Sequence, residues 1–350
     1  MQTVAHDWRE TIRQNQRRTY IVIALFFGIY LGLGFLIDIL LTMQRYSNPY
    51  NNPNYGSITF SQATSLLIHL QAFPYATITA AIAAGLGLLI TYSLSDKLML
   101  LGTKYHRVTS ETTNLAERQL YNVVEEMKVA SGMNFMPKVY IIEADYMNAF
   151  ASGFSEKSAM VAITRGLMEK LDRAEMQAVM AHELSHIRHQ DIKLTMTASI
   201  LSNLILLVLD IVFYKFIFSG GVGGRRNNQQ QMIFMVIIFL RYLMPLITLL
   251  LMMYLSRTRE YMADAGCVEL MRDNEPLARA LLKIHQDHTS HIAQQKSEYA
   301  RTAHEEIRRA AYLYDPRYAG INAGQAFSSL MSSHPPLKAR LAALGVKMDE

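Results

Sequence analysis

Four stretches of the chain, about Tyr20 to Leu41, Tyr75 to Leu94, Thr195 to Phe218 and Met232 to Leu255, approach the roughly 20 apolar residues that a helix needs to cross a bilayer. Four such windows with polar flanks point to membrane spans rather than to core helices of a large soluble protein. Composition agrees: 51% of the 350 residues are hydrophobic and 18% are charged, against about 25% charged in an ordinary soluble domain. Arg9, Arg13, Arg17 and Arg18 precede the first window like a signal n-region. The window is too long for an h-region, however, and "LLTMQRYSNPY" offers no small-residue cleavage site, so an uncleaved anchor is expected.

Charge sets the expected orientation. With the first end cytoplasmic, the Lys and Arg residues fall inside, except Arg45, Arg225 and Arg226 in outer loops and Lys215 and Arg241 within spans. The short flanks Arg17, Arg18, Lys97, Lys104, Arg257 and Arg259 agree with that orientation. The resulting division is a cytoplasmic segment 1–19, a span 20–41, an outer loop 42–74, a span 75–94 and a first part of a cytoplasmic domain, 95–194. A span 195–218, a hairpin tip 219–231, a span 232–255 and a second cytoplasmic part, 256–350, complete it. Gly28 and Gly32 form a small-x-x-x-small pair suited to close helix packing. Asp210 and Arg241 stand nearly equidistant from the hairpin tip, so an ion pair between them is expected, while Lys215 can snorkel outward. The single cysteine, Cys267, excludes an intrachain disulfide and reads as a small packing residue on a helix.

The chemistry is concentrated in "LDRAEMQAVMAHELSHIRHQ". Asp172 and Glu175 form a capping box, and Met176, Val179, Met180, Leu184 and Ile187 follow helical spacing. His182 and His186, four apart, therefore share one helix face and can hold one metal ion, while Glu183 is placed to act as a general base on water rather than as a ligand. The extended pattern H-E-x-x-H-x-x-G-x-x-H fails, because His189 and Ile192 occupy its last two positions. A glutamate on a later helix is the other common third ligand. "YLSRTREYMADAGCVEL" offers Glu260, with Asp264 one turn on to hydrogen-bond a ligand imidazole. Two spans separate His186 from Glu260 and return the chain to the side it left, which favours Glu260 as that ligand.

The motif His182–Glu183–His186, the segments "SRTREYMAD", "NAFASG" and "HPPLKAR", and the four windows together resemble the HtpX-type membrane metalloproteases, relatives of the CAAX prenyl-protein proteases. The long first outer loop and the stretch from about His285 to Tyr318 depart from that pattern. The resemblance implies a mainly α fold with a small β-sheet: four transmembrane helices and a cytoplasmic, gluzincin-like zinc metalloprotease domain holding one Zn2+ per chain. It implies a multi-pass protein of a bacterial cell inner membrane that cleaves misfolded or damaged membrane proteins in quality control and stress response, with other quality-control proteases as possible partners. By the same resemblance, Asn148, Ala149 and Phe150 lie on or near an edge strand that receives an extended substrate backbone. His334 is then an oxyanion donor or a gate on the zinc, braced by Arg340.

"PKVYIIEA" and "AMVAIT" read as short strands and "FASGFSEKS" as the connecting bend. "HQDHTSH" places His285, His288 and His291 at intervals of three, but their polar neighbours suit a solvated helix face, and His189 is expected to face a polar neighbour such as Asp191. A zinc-binding membrane scaffold or latent protease is the alternative function. An intramembrane protease is disfavoured by the charge around the motif, and a transporter by the lack of an inverted repeat. No nucleic-acid partner is expected.

Overall fold

The β-branched, apolar runs of β2 (Lys138–Ile142) and β4 (Met160–Thr164) form the centre of a four-stranded sheet, flanked by β1 (Tyr105–Val108) and β3 (Ala149–Ser152). The spatial order is β1-β2-β4-β3, with β2 and β4 parallel and the other pairs antiparallel. Every residue of β3 and β4 is buried, which is why "MVAIT" reads as a continuous apolar run rather than an alternating one. The computed structural model describes residues 8–46, 58–153, 155–219, 228–291, 312–313 and 335–346.

The two expected strands are β2 and β4. The expected bend is corrected at its start, because Phe150–Ser152 belong to β3 and the chain turns only at Gly153. There φ is +125°, and a Cβ would stand 2.7 Å from Ala159 Cα, so a side chain fits neither the backbone nor the space. A short 3-10 turn at Glu156–Ser158, capped by Ser155, leads into β4.

Helices cover one face of the sheet. α4 (Leu115–Ala130) starts at Asn114, whose side chain accepts from the Ala116 and Glu117 amides. α6 (Arg173–His189) starts at Asp172, and its capping box with Glu175 is complete. Leu120, Val123, Val124, Val139, Ile141, Val161, Ile163, Val179 and Leu184 form the core between them. The opposite face packs Met99, Leu100, Ile142, Tyr146, Phe150, Met160, Ala162 and Tyr312. α5 (Arg165–Lys170), α9 (Glu275–Ser290) and α10 (Leu337–Ala343) complete this part.

α6 ends at Gln190, which takes left-handed torsions (φ 53°, ψ 28°), and α7 (Asp191–Ser219) begins at the next residue. α8 (Asn228–Met271) is one continuous helix that contains the fourth apolar window and, beyond it, Glu260 and Asp264. α8 lies against α6 at Gly266, where a Cβ would come within 2.6 Å of Ser185 Oγ and 3.4 Å of His189 Cε1. The next residue, Cys267, is fully buried and donates its thiol to Ala178 O at 3.2 Å. Cys267 is thus the packing residue expected.

The chain divides into two compact units, one of Met1–Arg18, Tyr92–Met196 and Leu251–Glu350, the other of Thr19–Thr91 and Thr197–Leu250. The second unit holds most of α1 (Trp8–Tyr46), α2 (Phe60–Ile68), most of α3 (Tyr75–Leu100) and parts of α7 and α8. All four apolar windows are helical. Among the described residues, the 24-residue stretch Tyr20–Met43 is long and apolar enough to cross a membrane, while the apolar stretches Tyr75–Ile90 and Met235–Ile247 are shorter.

Within this unit Tyr30 donates to Leu201 O at 2.8 Å. Asp38, nearly fully buried on α1, accepts the Ala76 and Thr77 amides and the Thr77 hydroxyl, and so caps α3. The expected ion pair forms, with Arg241 Nε 2.8 Å from Asp210 Oδ1 and the guanidinium lying over Phe213. The expectation for Gly28 and Gly32 is corrected for the described residues, among which a Cβ at either meets nothing within 4 Å. Close approach occurs instead at Gly34, where a Cβ would lie 2.5 Å from Thr77 Cα. The side chain of Lys215 is outside the described residues.

The contact at Gly266 leaves no room for a methyl group. Gly266→Ala is therefore expected to destabilise the α6–α8 packing by about 1–3 kcal/mol, read as a lowered midpoint of thermal unfolding in detergent. Ala265→Ser, one residue away on an exposed position, should leave the midpoint unchanged.

Candidate metal centre

α6 and α8 bring together the side chains singled out around the motif. His182 Nε2 and His186 Nε2 lie 3.2 Å apart, with their rings nearly perpendicular. Glu260 Oε2 is 3.7 Å from His182 Nε2, and Glu260 Oε1 is 3.7 Å from His186 Nε2. The three ligand atoms lie within 4.8 Å of one another, and all three residues are buried. Two ligands each roughly 2.0–2.1 Å from a tetrahedral ion stand about 3.3 Å apart, so the donor set has the spacing of a single metal site.

Charge supports the same reading. Glu183, Glu260 and Asp264 are all nearly fully buried, and Arg340, also buried, supplies one positive charge against three carboxyl groups. Among the described residues, neither Glu183 carboxylate oxygen has a hydrogen-bond partner of ordinary geometry. Burial pushes the Glu183 carboxyl up to about 8. A divalent cation held by His182, His186 and Glu260 would offset that desolvation and favour the charged, proton-accepting form of Glu183. Burial also lowers the pKa of His182, which favours the neutral imidazole that ligates metal.

Behind the ligands, Asp264 Oδ1 stands 3.0 Å from His182 Nδ1, which turns the other ring nitrogen toward the metal position. Arg340 grips Asp264 with two hydrogen bonds, Nε to Oδ2 at 2.9 Å and Nη2 to Oδ1 at 2.6 Å, and its Nη1 lies 3.4 Å from Glu260 Oε2. Burial works to raise the Asp264 pKa, but the charge of Arg340 and the contact with His182 outweigh it and hold the carboxylate below its usual range. Arg340 thus reaches the carboxylates of α8. His334, the residue it was expected to brace, lies outside the described residues.

Asn148 directly precedes β3 and is fully buried. Its amide nitrogen donates to Thr164 Oγ1 and its carbonyl accepts from Thr164 N and Oγ1, while its side-chain oxygen accepts from the Ala149 amide. Ala149 and Phe150 are on β3, an edge strand of the sheet, and α6 packs against it. The Ala151 amide acts to lower the Glu183 pKa, so the carboxyl faces this strand.

The "HQDHTSH" expectation needs correction. His288 is fully buried, with Nε2 2.9 Å from Met147 O, because α9 packs its apolar side on the core and that position falls on it. It ties α9 to the turn before β3. His285 is half-buried and His291 exposed, so the three share no solvated face. His189 is buried beside Gly266, and the side chain of Asp191 is outside the described residues. Tyr312 and Leu313, which the sequence does not single out, pair with the outer side of β3. No motif marks them, although "AAYLYDP" has the apolar character of a strand.

The profile of Peptidase family M48 matches residues 114–346. A protease HtpX homolog of Helicobacter pylori strain J99 is 37% identical over 97% of this chain and 98% of its own length. HtpX homologs of Listeria monocytogenes strain EGD-e (35%, covering 96% and 98%) and Dictyoglomus thermophilum (30%, covering 96% and 93%) are similar along nearly their whole lengths. The crystal structure of S. mikatae Ste24p matches with a TM-score of 0.49 at 20% identity, over 80% of this chain and 60% of that one. From the profile match and the full-length similarity to HtpX homologs, the chain belongs to Peptidase family M48, a family of metalloproteases.

Proposed function

We propose that this protein is a membrane-embedded zinc endopeptidase whose active site faces the cytoplasm and which cleaves misfolded or damaged membrane proteins. The observation that carries the reading is the convergence of His182, His186 and Glu260 on one metal-sized position, with the buried carboxyl of Glu183 alongside. Nitrogen and carboxylate donors without sulfur suit zinc held for catalysis rather than a closed structural site.

In this reading His182, His186 and Glu260 hold one zinc, which supplies Lewis acidity toward a peptide carbonyl and toward water. Glu183 accepts a proton from the attacking water and passes it to the leaving amine. Asp264 keeps the His182 ring turned toward the metal, and Arg340 keeps Asp264 charged. β3 offers main-chain hydrogen bonds that tolerate many side chains, as a protease acting on unfolded chains requires. Asn148, Ala149 and Phe150 belong to this substrate surface, and His334 is assigned to the developing oxyanion or to gating.

The four apolar helices are proposed as spans of a bacterial inner membrane, with both halves of the catalytic unit on the cytoplasmic side. The Lys and Arg flanks support that orientation. Unfolded membrane proteins are the proposed substrates, with other quality-control proteases as partners. A latent form is a second reading, favoured by the pairing of Tyr312 and Leu313 with β3.

Glu183→Gln is expected to keep zinc at about one ion per chain while cleavage of casein falls by at least about a thousandfold. Metal analysis and gel assays on the detergent-purified protein check this, and equal cleavage by both proteins would defeat the enzymatic reading. Asp264→Asn should weaken zinc binding about 10–100-fold in chelator competition. For orientation, a cysteine replacing Ser219 should react with a membrane-impermeant maleimide added to intact cells, and one replacing Glu111 should not. The native Cys267 is buried and gives little background.

A further inference from the structure

The outer side of β3 already carries a bridged pair of residues, Tyr312 and Leu313. Phe150 pairs with Ala162 of β4 on one side, and on the other forms an antiparallel bridge with Tyr312. The Leu313 amide donates to Ala149 O at 2.9 Å, and Leu313 O accepts from Arg340 Nη1 at 3.1 Å. The side chains alternate as in a strand. The Tyr312 ring packs edge-on against Phe150, with its hydroxyl 3.4 Å from that of Tyr146. Leu313 instead joins the core on the α4–α6 side. Both residues are 1% exposed.

We infer that Tyr312–Leu313 is an internal stand-in for substrate, which an extended polypeptide displaces, taking over the hydrogen bonds to Ala149 O and Arg340 Nη1 and favouring an aromatic residue followed by an aliphatic one. The inference rests on the peptidase reading above. A backbone that reaches Glu183 by pairing with β3 meets the same edge, and one edge accepts one strand. Uncovering two buried apolar side chains opposes displacement, whereas replacing them with an aromatic–aliphatic pair restores the burial. The preference follows from that exchange.

Arg340 is the positioning residue in this scheme. Two of its N–H groups hold Asp264, which holds His182, while the third direction is satisfied by Leu313 O. The occupant of the β3 edge is thereby linked through one guanidinium to a metal ligand.

The decisive experiment uses the full-length, zinc-loaded Glu183→Gln protein in detergent and fluorescent ten-residue peptides that are alike except for a central Phe-Leu or Gly-Ser pair. Anisotropy is expected to show at least about fivefold tighter binding of the Phe-Leu peptide. Hydrogen exchange should show that the segment containing Leu313 loses protection when that peptide is bound. Binding with undiminished protection of Leu313, or equal binding of the two peptides, would overturn the inference. In the otherwise wild-type protein, Tyr312→Ala should raise kcat/KM for casein about fivefold through KM, with zinc content unchanged. A fall in kcat/KM at full zinc content counts against the inference. If Tyr312→Ala loses zinc it has lost its fold, and the hydrogen-exchange result decides alone. Failure of the peptidase reading is distinct: casein is then cleaved equally by wild type and Glu183→Gln, or by neither.

Discussion

Burying three carboxyl groups around one guanidinium is the constraint on which the catalytic unit depends. Glu183, Glu260 and Asp264 have left water almost completely, and charge at that depth is tolerated only when paired or when it coordinates metal. Arg340 answers for Asp264 with two hydrogen bonds and approaches Glu260. What remains unbalanced is centred on Glu183 and on the position faced by His182, His186 and Glu260, where a divalent cation fits by charge, spacing and donor type.

The surrounding packing serves that arrangement. Glycine at position 266 lets α8 close on α6, and Cys267 fastens the contact to Ala178 O. The complete capping box at Asp172 fixes where α6 begins, and the left-handed residue Gln190 separates it from α7. His288 anchors α9 to Met147 O just before β3. His182, His186, Glu260, Glu183 and β3 thus sit on adjoining elements of one unit. The tie from Leu313 O through Arg340 and Asp264 to His182 gives that unit a physical link between the β3 edge and the metal position.

Much of the site was legible because local spacing carried it. Two histidines four apart on a capped helix define a face without any tertiary knowledge, and Glu260 with Asp264 repeats that logic one turn apart. β2 and β4 were readable as apolar runs between turn residues. β3 was harder, since "FASG" looks like a bend until the sheet recruits it. His288 misled because its neighbours in sequence are polar, although the position falls on the buried side of α9. Gly28 and Gly32 misled in the opposite way: a small-residue pair permits close packing but does not say that a neighbour is there, and the neighbour came to Gly34.

Sequence alone determined the apolar windows and the capped helix bearing His182, Glu183 and His186, because helical periodicity is a local property. Only the tertiary structure decided that Arg340 grips Asp264 and approaches Glu260, that Gly266 admits α8 to α6, and that Tyr312 and Leu313 take the outer edge of β3. Those outcomes depend on which distant segments meet and on how buried charge must be neutralised. Neither is encoded in the spacing of neighbouring residues.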